Sequence, residues 1–420
     1  MRYFFKSLRL LLKPCSAKIL FYVILYNCHK ASHKKKLALR NVGKTLCVIM
    51  TDLGPAFVKL GQVLSTRQDV INYEIVSEFE KLYDNVTIQN PTTSMNRIRN
   101  SFPNTKNITF IAAGSIAEVY KVEVDNNVYA VKLLKQNIEQ RFYDNISFIS
   151  FIIKHSIVLS KKIRMKLLRI VENINITSKS EFNLYMEAAT IERMHHSYTT
   201  RRCNIKIPKL ELKHSTNKML VMEWIDGISV TDNSIVEKRE YIARMVADFV
   251  LSQIYIDCFF HADPHIGNFL FHNDSVVALD FGMIGSISKK DGRVFGRIIK
   301  AFLEENYDDV AELHIQASYL NPSTKYTFSI ACRSIMIAVQ NSKKEYAIST
   351  LLKELLSIVD NFDIDMNPNL AMMHKGMISL EGFLNHLSVD CLEIIKEWFK
   401  KNEKEFLPST FEKIFNSLKH

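Results

Sequence analysis

The chain has 420 residues, with 55 Lys and Arg against 44 Asp and Glu, a formal net charge of +11, 47% hydrophobic and 10% aromatic residues, and only 12 Gly and 9 Pro. This composition supports a large buried core and excludes disordered and fibrous classes, and the length allows two lobes or two domains. Seven scattered cysteines (Cys15, Cys28, Cys47, Cys203, Cys258, Cys332, Cys391) form no C-x-x-C pair, which argues against a disulfide framework or a cysteine zinc site and for a reducing compartment.

The charge is unevenly placed. Residues 1–50 hold eleven basic side chains (Arg2, Lys6, Arg9, Lys13, Lys18, Lys30, Lys34, Lys35, Lys36, Arg40, Lys44) and no acid, so this arm accounts for the whole surplus. A nucleic-acid-binding domain spreads Lys and Arg over a folded face. A basic arm on a neutral body instead predicts an anionic membrane as partner and no nucleic acid. Phe4, Phe5, Leu8, Leu11 and Leu12 fall near one helical face with Lys6, Arg9 and Lys13 around it, the build of an interfacial helix; the alternative is that these apolar residues dock on the protein's own body. No transmembrane helix is predicted, because none of the apolar stretches reaches the roughly 20 residues needed. Ile19 to Tyr26 is short, and residues 46–64 carry Asp52, Pro55 and Lys59. Lys13, Pro14 and Lys18 also interrupt any secretory signal.

After the arm, Asp52 to Tyr83 reads as helix opening at Gly54-Pro55, and 85–105, with Pro91 and Pro103, as a polar connector. Ile108–Phe110, Ser115–Val124 and Val128–Leu134 are β-branched and alternating, with Asp125-Asn126-Asn127 at a hairpin turn, which predicts a small antiparallel sheet. A helical pattern runs from Ile138 to about Met194, followed by strands at Ile205–Leu212 and Met219–Trp224. From Ser234 the chain reads mainly as helix, apart from short strands at Phe269–Phe271 and Val276–Leu279 around His272-Asn273-Asp274.

Tyr129-Ala130-Val131-Lys132 places a lysine on the third strand. Far downstream, His261-Ala262-Asp263-Pro264-His265-Ile266-Gly267-Asn268 gives Asp263 and Asn268 the D-x-x-x-x-N spacing, and Asp280-Phe281-Gly282 follows. Together these match the kinase order of strand lysine, H-x-D-x-x-x-x-N loop and D-F-G. Phosphoryl transfer requires neutralised phosphate charge and an in-line nucleophile. Lys132 suits the phosphates of ATP, the oxygen ligands Asn268 and Asp280 suit Mg2+, and Asp263 suits a hydroxyl or water proton. Glu187 lies where a helix glutamate should hold Lys132, with Glu192 as competitor. Met222-Glu223-Trp224 is placed to form the hinge, its backbone at Glu223 and Trp224 meeting adenine. The loop expected over the phosphates, Ala112-Ala113-Gly114-Ser115, has one glycine where an ordinary kinase has three, which predicts a stiffer loop. His265 and His272 read as structural, not as metal ligands, because no third ligand keeps spacing with them.

From Leu53 to Gly285 the sequence resembles the UbiB/AarF (ADCK) family of atypical kinase-like proteins. The residues that carry the resemblance are the K-x-G-Q stretch Lys59-Leu60-Gly61-Gln62 followed by Arg67, the Ala-rich loop, the E-x-D region at Glu181, Val221 to Gly227, and H-A-D-P-H-x-G-N. The resemblance implies an α+β, bilobal protein-kinase-like fold with a small antiparallel-sheet N-lobe, a mainly helical C-lobe and an N-terminal helical extension. It implies that Lys59 and Gln62, which periodicity alone would put on a polar face, point into the nucleotide pocket, with Lys59 near Glu181. It also implies an ATP- and Mg2+-dependent role, as ATPase more than protein kinase, in ubiquinone biosynthesis. The partners it implies are ATP/ADP, anionic membrane lipids or quinone-pathway lipids, and the ubiquinone-biosynthesis enzymes, at the cytoplasmic face of the inner membrane.

The sequence departs from the family pattern at Asn183, which replaces the aspartate of E-x-D, at Ile266, which replaces a proline, and at Glu118, which replaces a glutamine. Many bacterial members end in two hydrophobic helices, whereas Trp398–Lys401 and Phe406–His420 are charged, so no C-terminal anchor is expected. The expected domains are a basic arm (1–50), a K-x-G-Q extension (51–105), a kinase-like N-lobe with a helical insertion (106–225) and a helical C-lobe (226–420). Two other readings compete with the enzyme. A nucleotide-binding pseudokinase scaffold or lipid-binding module is motivated by Asn183 and the lone Gly114, and a soluble small-molecule phosphotransferase would lack K-x-G-Q.

Overall fold

The computed structural model describes residues 32–65, 71–79, 91–156, 159–200, 205–316, 321–341 and 368–406. The expected interfacial face Phe4 to Leu12, the basic residues Arg2 to Lys30, Arg67, and the charged segment 407–420 lie outside the described residues. The chain divides into two compact units. The first comprises residues up to Ala189 with Lys209–Trp224, and the second comprises Thr190–Pro208 with the residues from Ile225 onward.

In the first unit, α1 (Ser32–Leu53), α2 (Pro55–Ser65) and α3 (Tyr73–Phe79) stand in place of the single helix expected over 52–83. The break between α1 and α2 falls at Gly54, whose φ of 118° is open to glycine and strained for other residues. Pro55 then opens α2 where its missing N–H costs nothing. α1 is packed and is not a free arm. Ala38, Val42, Ile49, Met50 and Leu53 are buried, and Arg40 reaches Glu74 of α3 at 2.7 Å. A boundary at residue 50 therefore cuts a helix whose apolar stripe belongs to this unit.

Residues 91–101, expected as connector, form α4 (Pro91–Ser101), which buries Ser94 and Ile98. Its apolar residues are too sparse to show a period. α4 covers a four-stranded antiparallel sheet of β1 (Thr105–Ala113), β2 (Ala117–Val124), β3 (Asn127–Leu134) and β5 (Met219–Glu223), in the order β1-β2-β3-β5. Tyr120, Val122, Val131, Leu133, Met219 and Val221 pack with Ile98 and Phe102. The β2–β3 hairpin turns at Asp125-Asn126, with Asp125 at φ 53°.

The helical run expected over 138–194 is three helices, α5 (Ile138–His155), α6 (Lys161–Glu181) and α7 (Leu184–Thr200). The breaks lie at residues suited to capping. Ser160 accepts the N–H of Ile163, and the Asn183 side chain accepts the N–H of Tyr185. The strand expected over 205–212 shrinks to β4 (Ile205–Lys206), which pairs parallel with β9 (Ser275–Ala278) of the second unit. Pro208, lacking an N–H, stops it, and Leu210 retains one bridge to Met222.

The second unit is mainly helical. Its sheets are β4-β9-β8-β6, with β6 at Ile228–Ser229 and β8 at Phe269–His272, and the pair β7 (Phe259–His261) with β10 (Ile284–Ser286). α8 (Arg239–Leu251) runs into a π-helical turn at Ser252–Asp257. α9 (Lys289–Leu303), α10 (Tyr307–Gln316), α11 (Lys325–Asn341), α12 (Pro368–His386) and α13 (Cys391–Lys401) follow. Phe302, Val310, Phe328 and Cys332 join α9, α10 and α11 in one core cluster. Tyr255 packs against Trp398, Phe399 and Phe406, and the Trp398 indole donates to Asp248 at 2.9 Å.

Candidate active site

Within the first unit, strand alternation turns Val131 and Leu133 into the core and leaves Lys132 on the opposite face of β3. Its Nζ donates to Glu187 Oε1 at 2.7 Å. Glu187 is 6% exposed and stands in the first turn of α7, where the helix dipole favours a carboxylate. Glu192 on the same helix is exposed. Asn183, which departs from E-x-D, is exposed and accepts the Tyr185 N–H at the start of α7, a role Asn fills as well as Asp.

Every residue from Leu53 to Gly61 is buried. α2 lies against α5, where Phe57 meets Phe148 edge-on and Asn145 donates to the Leu53 carbonyl at 3.0 Å. Lys59 is 6% exposed and forms an ion pair with Glu181, the last residue of α6. A buried lysine needs such a partner. Gln62, on the same helix, is half-buried.

Ala112 and Ala113 are the last residues of β1, opposite Val119 and Glu118, so the turn proper is Gly114-Ser115-Ile116. Gly114 donates its N–H to Ala117 O at 2.9 Å, Lys135 donates its N–H to Ile116 O at 3.0 Å, and Lys135 Nζ donates to Gly114 O at 2.7 Å. Among the described glycines only Gly54 has a positive φ. The turn is therefore closed by hydrogen bonds, without a positive-φ glycine. Beneath it Glu118, 1% exposed, accepts from Ser94 at 2.7 Å and from the Tyr120 hydroxyl at 2.9 Å. Burial pushes the Lys135 ammonium down to about 8 against the opposing pull of Glu118, and pushes the Tyr120 hydroxyl up to about 12.

At the end of β5, the N–H of Glu223 is donated to Lys209 O at 2.9 Å and that of Trp224 to Val128 O at 3.2 Å. Both backbone N–H donors at the end of β5 are therefore engaged within the first unit. Lys121 lies 4.8 Å from the centre of the Trp224 ring.

Within the second unit, the catalytic-loop residues hang between β7 and β8. His261 Nδ1 accepts the N–H of Asp263 at 3.1 Å, and the Asn268 side-chain amide donates to the Asp263 carbonyl at 3.0 Å. The β8–β9 register pairs Phe269 with Ala278, and Leu279 donates its N–H to Asn268 O, which brings Asn268 next to the Leu279–Asp280 end of the hairpin. Asp280 Oδ1 accepts the N–H of Gly282 at 2.8 Å. His265 caps the 266–268 turn through Nδ1, and His272 Nδ1 lies 2.8 Å from Asp226 O. Both histidines are engaged with backbone.

Asp263 itself receives Lys375 Nζ at 3.0 Å on Oδ2 and Ser379 Oγ at 3.2 Å on Oδ1, both from α12. Burial raises its carboxyl, but the Lys375 ammonium and His265 outweigh that and hold it below the usual carboxylate range. Burial lowers His261 to about 4, so it stays neutral at pH 7.

Asn268 and Asp280 fit a Mg2+ ion. With its amide nitrogen turned to the Asp263 carbonyl, Asn268 presents its oxygen to the other side, and Asp280 adds a carboxylate, both hard donors. Among the described residues no group of three or more His, Cys, Asp or Glu could hold a metal. Lys375, Ser379 and Lys135 have no motif-level signal. Lys375 lies 112 residues from Asp263, in a segment legible only as helix.

A strand lysine held by a helix glutamate in one unit, and an H-x-D loop, hairpin and D-F-G in the other, define a protein-kinase-like α+β fold. Residues 84–314 match the ABC1 atypical kinase-like domain, and residues 333–391 match the UbiB helical domain. The chain belongs to the ABC1/UbiB family of atypical kinase-like proteins. It is 26% identical over 355 residues to a "Probable protein kinase UbiB" of Tolumonas auensis, covering 80% of this chain and 65% of that one. It is 27% identical over 371 residues to the protein of the same name from Shewanella halifaxensis, covering 83% and 67%. The chain thus spans about two thirds of the length of these relatives. Among solved structures, Rv3197 of Mycobacterium tuberculosis in complex with erythromycin matches with a TM-score of 0.55 at 19% identity, covering 83% of this chain and 92% of that one, a likeness of fold.

Proposed function

We propose that this protein is an atypical kinase-like enzyme that uses Mg-ATP, chiefly as an ATPase, and supports ubiquinone biosynthesis as a peripheral protein on the cytoplasmic face of the inner membrane. The observation that carries the enzymatic reading is the Lys132–Glu187 ion pair at 2.7 Å, which presents a fixed ammonium for the α and β phosphates. Asp263 orients the attacking hydroxyl or water. Asn268 and Asp280 would hold Mg2+, which when bound supplies charge neutralisation at the phosphate oxygens. The turn at Ala112–Ser115 covers the phosphates, and Glu223 and Trp224 meet the adenine. Lys59, Gln62 and Glu181 line the same nucleotide site and restrict what can enter. The quinone link is supported by the name that the relatives carry. Among the described residues no helix is long and apolar enough to cross a membrane.

Phosphate release from Mg-ATP by the purified full chain, with and without anionic liposomes, tests the reading. Release is expected in wild type and lost in Asp280→Asn. Release that survives Asp280→Asn overturns the enzymatic assignment, and unchanged quinone content after disruption of the gene overturns the biosynthetic one.

A further inference from the structure

Asp263 is held by a helix that lies outside the kinase-like match. Lys375 and Ser379, one turn apart on α12, face the same carboxylate and take one oxygen each, at 3.0 and 3.2 Å. Lys375 Nζ also lies 3.2 Å from the sulfur of Met283, the residue after Asp280-Phe281-Gly282, so one ammonium touches both the H-x-D loop and the end of D-F-G. α12 runs close to the loop backbone, where a β-carbon at Gly376 would sit 3.4 Å from the His261 carbonyl. The loop from His261 to Asn268 contains no Lys or Arg. His265 uses its Nδ1 to cap the 266–268 turn. The cation hydrogen-bonded to the Asp263 carboxylate is supplied from α12. The Lys375 and Asp263 side chains keep 23% and 17% exposure, so the pair is not sealed from solvent.

We propose that Lys375, assisted by Ser379, is a positioning residue for Asp263. By engaging both oxygens the two donors fix the rotation of the carboxylate, and a remaining lone pair is aimed at the hydroxyl or water that Asp263 orients. The UbiB helical segment thereby completes the catalytic loop. This rests on the role given to Asp263 above.

The test uses full-length wild type, Lys375→Met, Lys375→Arg and Ser379→Ala. Phosphate release is followed against Mg-ATP concentration, nucleotide binding with a fluorescent ATP analogue, and folding by thermal melting. Lys375→Met is expected to lower kcat by about 50-fold, with KM and nucleotide binding held within about 3-fold, because misplacing a reacting group costs turnover and not ground-state binding. Lys375→Arg should restore kcat to within about 5-fold of wild type, and Ser379→Ala should lower it by about 5-fold. Unchanged kcat in Lys375→Met, a loss matched by equal loss of nucleotide binding, or failure of Lys375→Arg to restore turnover overturns the inference while the nucleotide reading stands. If Lys375→Met does not fold, Ser379→Ala decides alone, and wild-type turnover in a folded Ser379→Ala overturns the inference. A wild-type protein that neither binds nucleotide nor releases phosphate fails the underlying reading, and the inference falls with it.

Discussion

Lys135 closes the β1–β2 turn by donating to the Gly114 carbonyl at 2.7 Å, and the charge it brings into the interior is offset by Glu118. Both residues are almost fully buried, and Ser94 and Tyr120 donate to the same carboxylate oxygen. The segment expected to cover the phosphates is thus fastened by a buried network instead of being loosened by glycine.

Removing the cation should expose that dependence. Lys135→Met takes away one of the two cations, with Arg97, that act on the buried Glu118 charge and is expected to lower the unfolding free energy by about 2 kcal/mol. Glu118→Gln, which keeps an oxygen for Ser94 and Tyr120, should cost clearly less. Urea denaturation of the two variants checks the order, and equal costs would show that the charge is irrelevant to the turn.

The Lys59–Glu181 pair predicts coupling between α2 and α6. Lys59→Ala should destabilise the first unit by about 3 kcal/mol because it strands a poorly solvated carboxylate. The double variant Lys59→Ala with Glu181→Gln should recover part of that loss. Lys59→Ala is also expected to change nucleotide preference or to unmask autophosphorylation. Unaltered stability, binding and activity together would show that the Lys59–Glu181 pair matters neither to the fold nor to the nucleotide site.

Gly54→Ala puts a β-carbon at a φ of 118° and 2.9 Å from the Asn145 amide nitrogen. A cost of about 2 kcal/mol is expected from the backbone conformation and the displaced amide. Chemical denaturation measures it. A neutral substitution would mean that the α1–α2 break relaxes at no cost.

His261 predicts an acid-sensitive second unit. Its folded value of about 4 lies below the unfolded value of 6.5, so between these the unfolded chain binds the extra proton and stability falls as pH falls. The expected slope is about 1.4 kcal/mol per pH unit for this one proton. His261→Asn, whose amide oxygen can stand where Nδ1 accepts the Asp263 N–H, should flatten the stability profile between pH 4.5 and 6. A profile that keeps its wild-type slope would assign the acid sensitivity elsewhere.

Deleting residues 1–31 removes Arg2, Lys6, Arg9, Lys13, Lys18 and Lys30 without cutting α1. At about 1 kcal/mol per basic residue near an anionic surface, binding to vesicles containing anionic lipid should weaken by about 100-fold or more. Co-sedimentation measures it, and retained binding would locate membrane affinity in the folded body.

The legible parts of this molecule are those where chemistry fixes residue types at fixed spacing. The order of Lys132, Glu187, Asp263, Asn268 and Asp280 is that of the kinase-like motifs, and the hairpins at Asp125 and Asn273 follow from turn conformation. The burial of Lys59 runs against helical periodicity and can be anticipated only through family resemblance. α4 is not legible because two apolar residues make no stripe, and the strand expected over 205–212 ends early because Pro208 outweighs the β-branched run. Lys375 has no signal in the sequence because a contact made across 112 residues leaves no local pattern.

The packing of Tyr255 with Trp398, Phe399 and Phe406 sets where a recombinant fragment can end. The UbiB helical match stops at residue 391, and a chain cut there would uncover Tyr255, which is 2% exposed, and take away the indole bonded to Asp248. Such a fragment would present a fresh aromatic surface to its neighbours in solution and invite self-association. A stop codon placed after Phe406 keeps that surface closed.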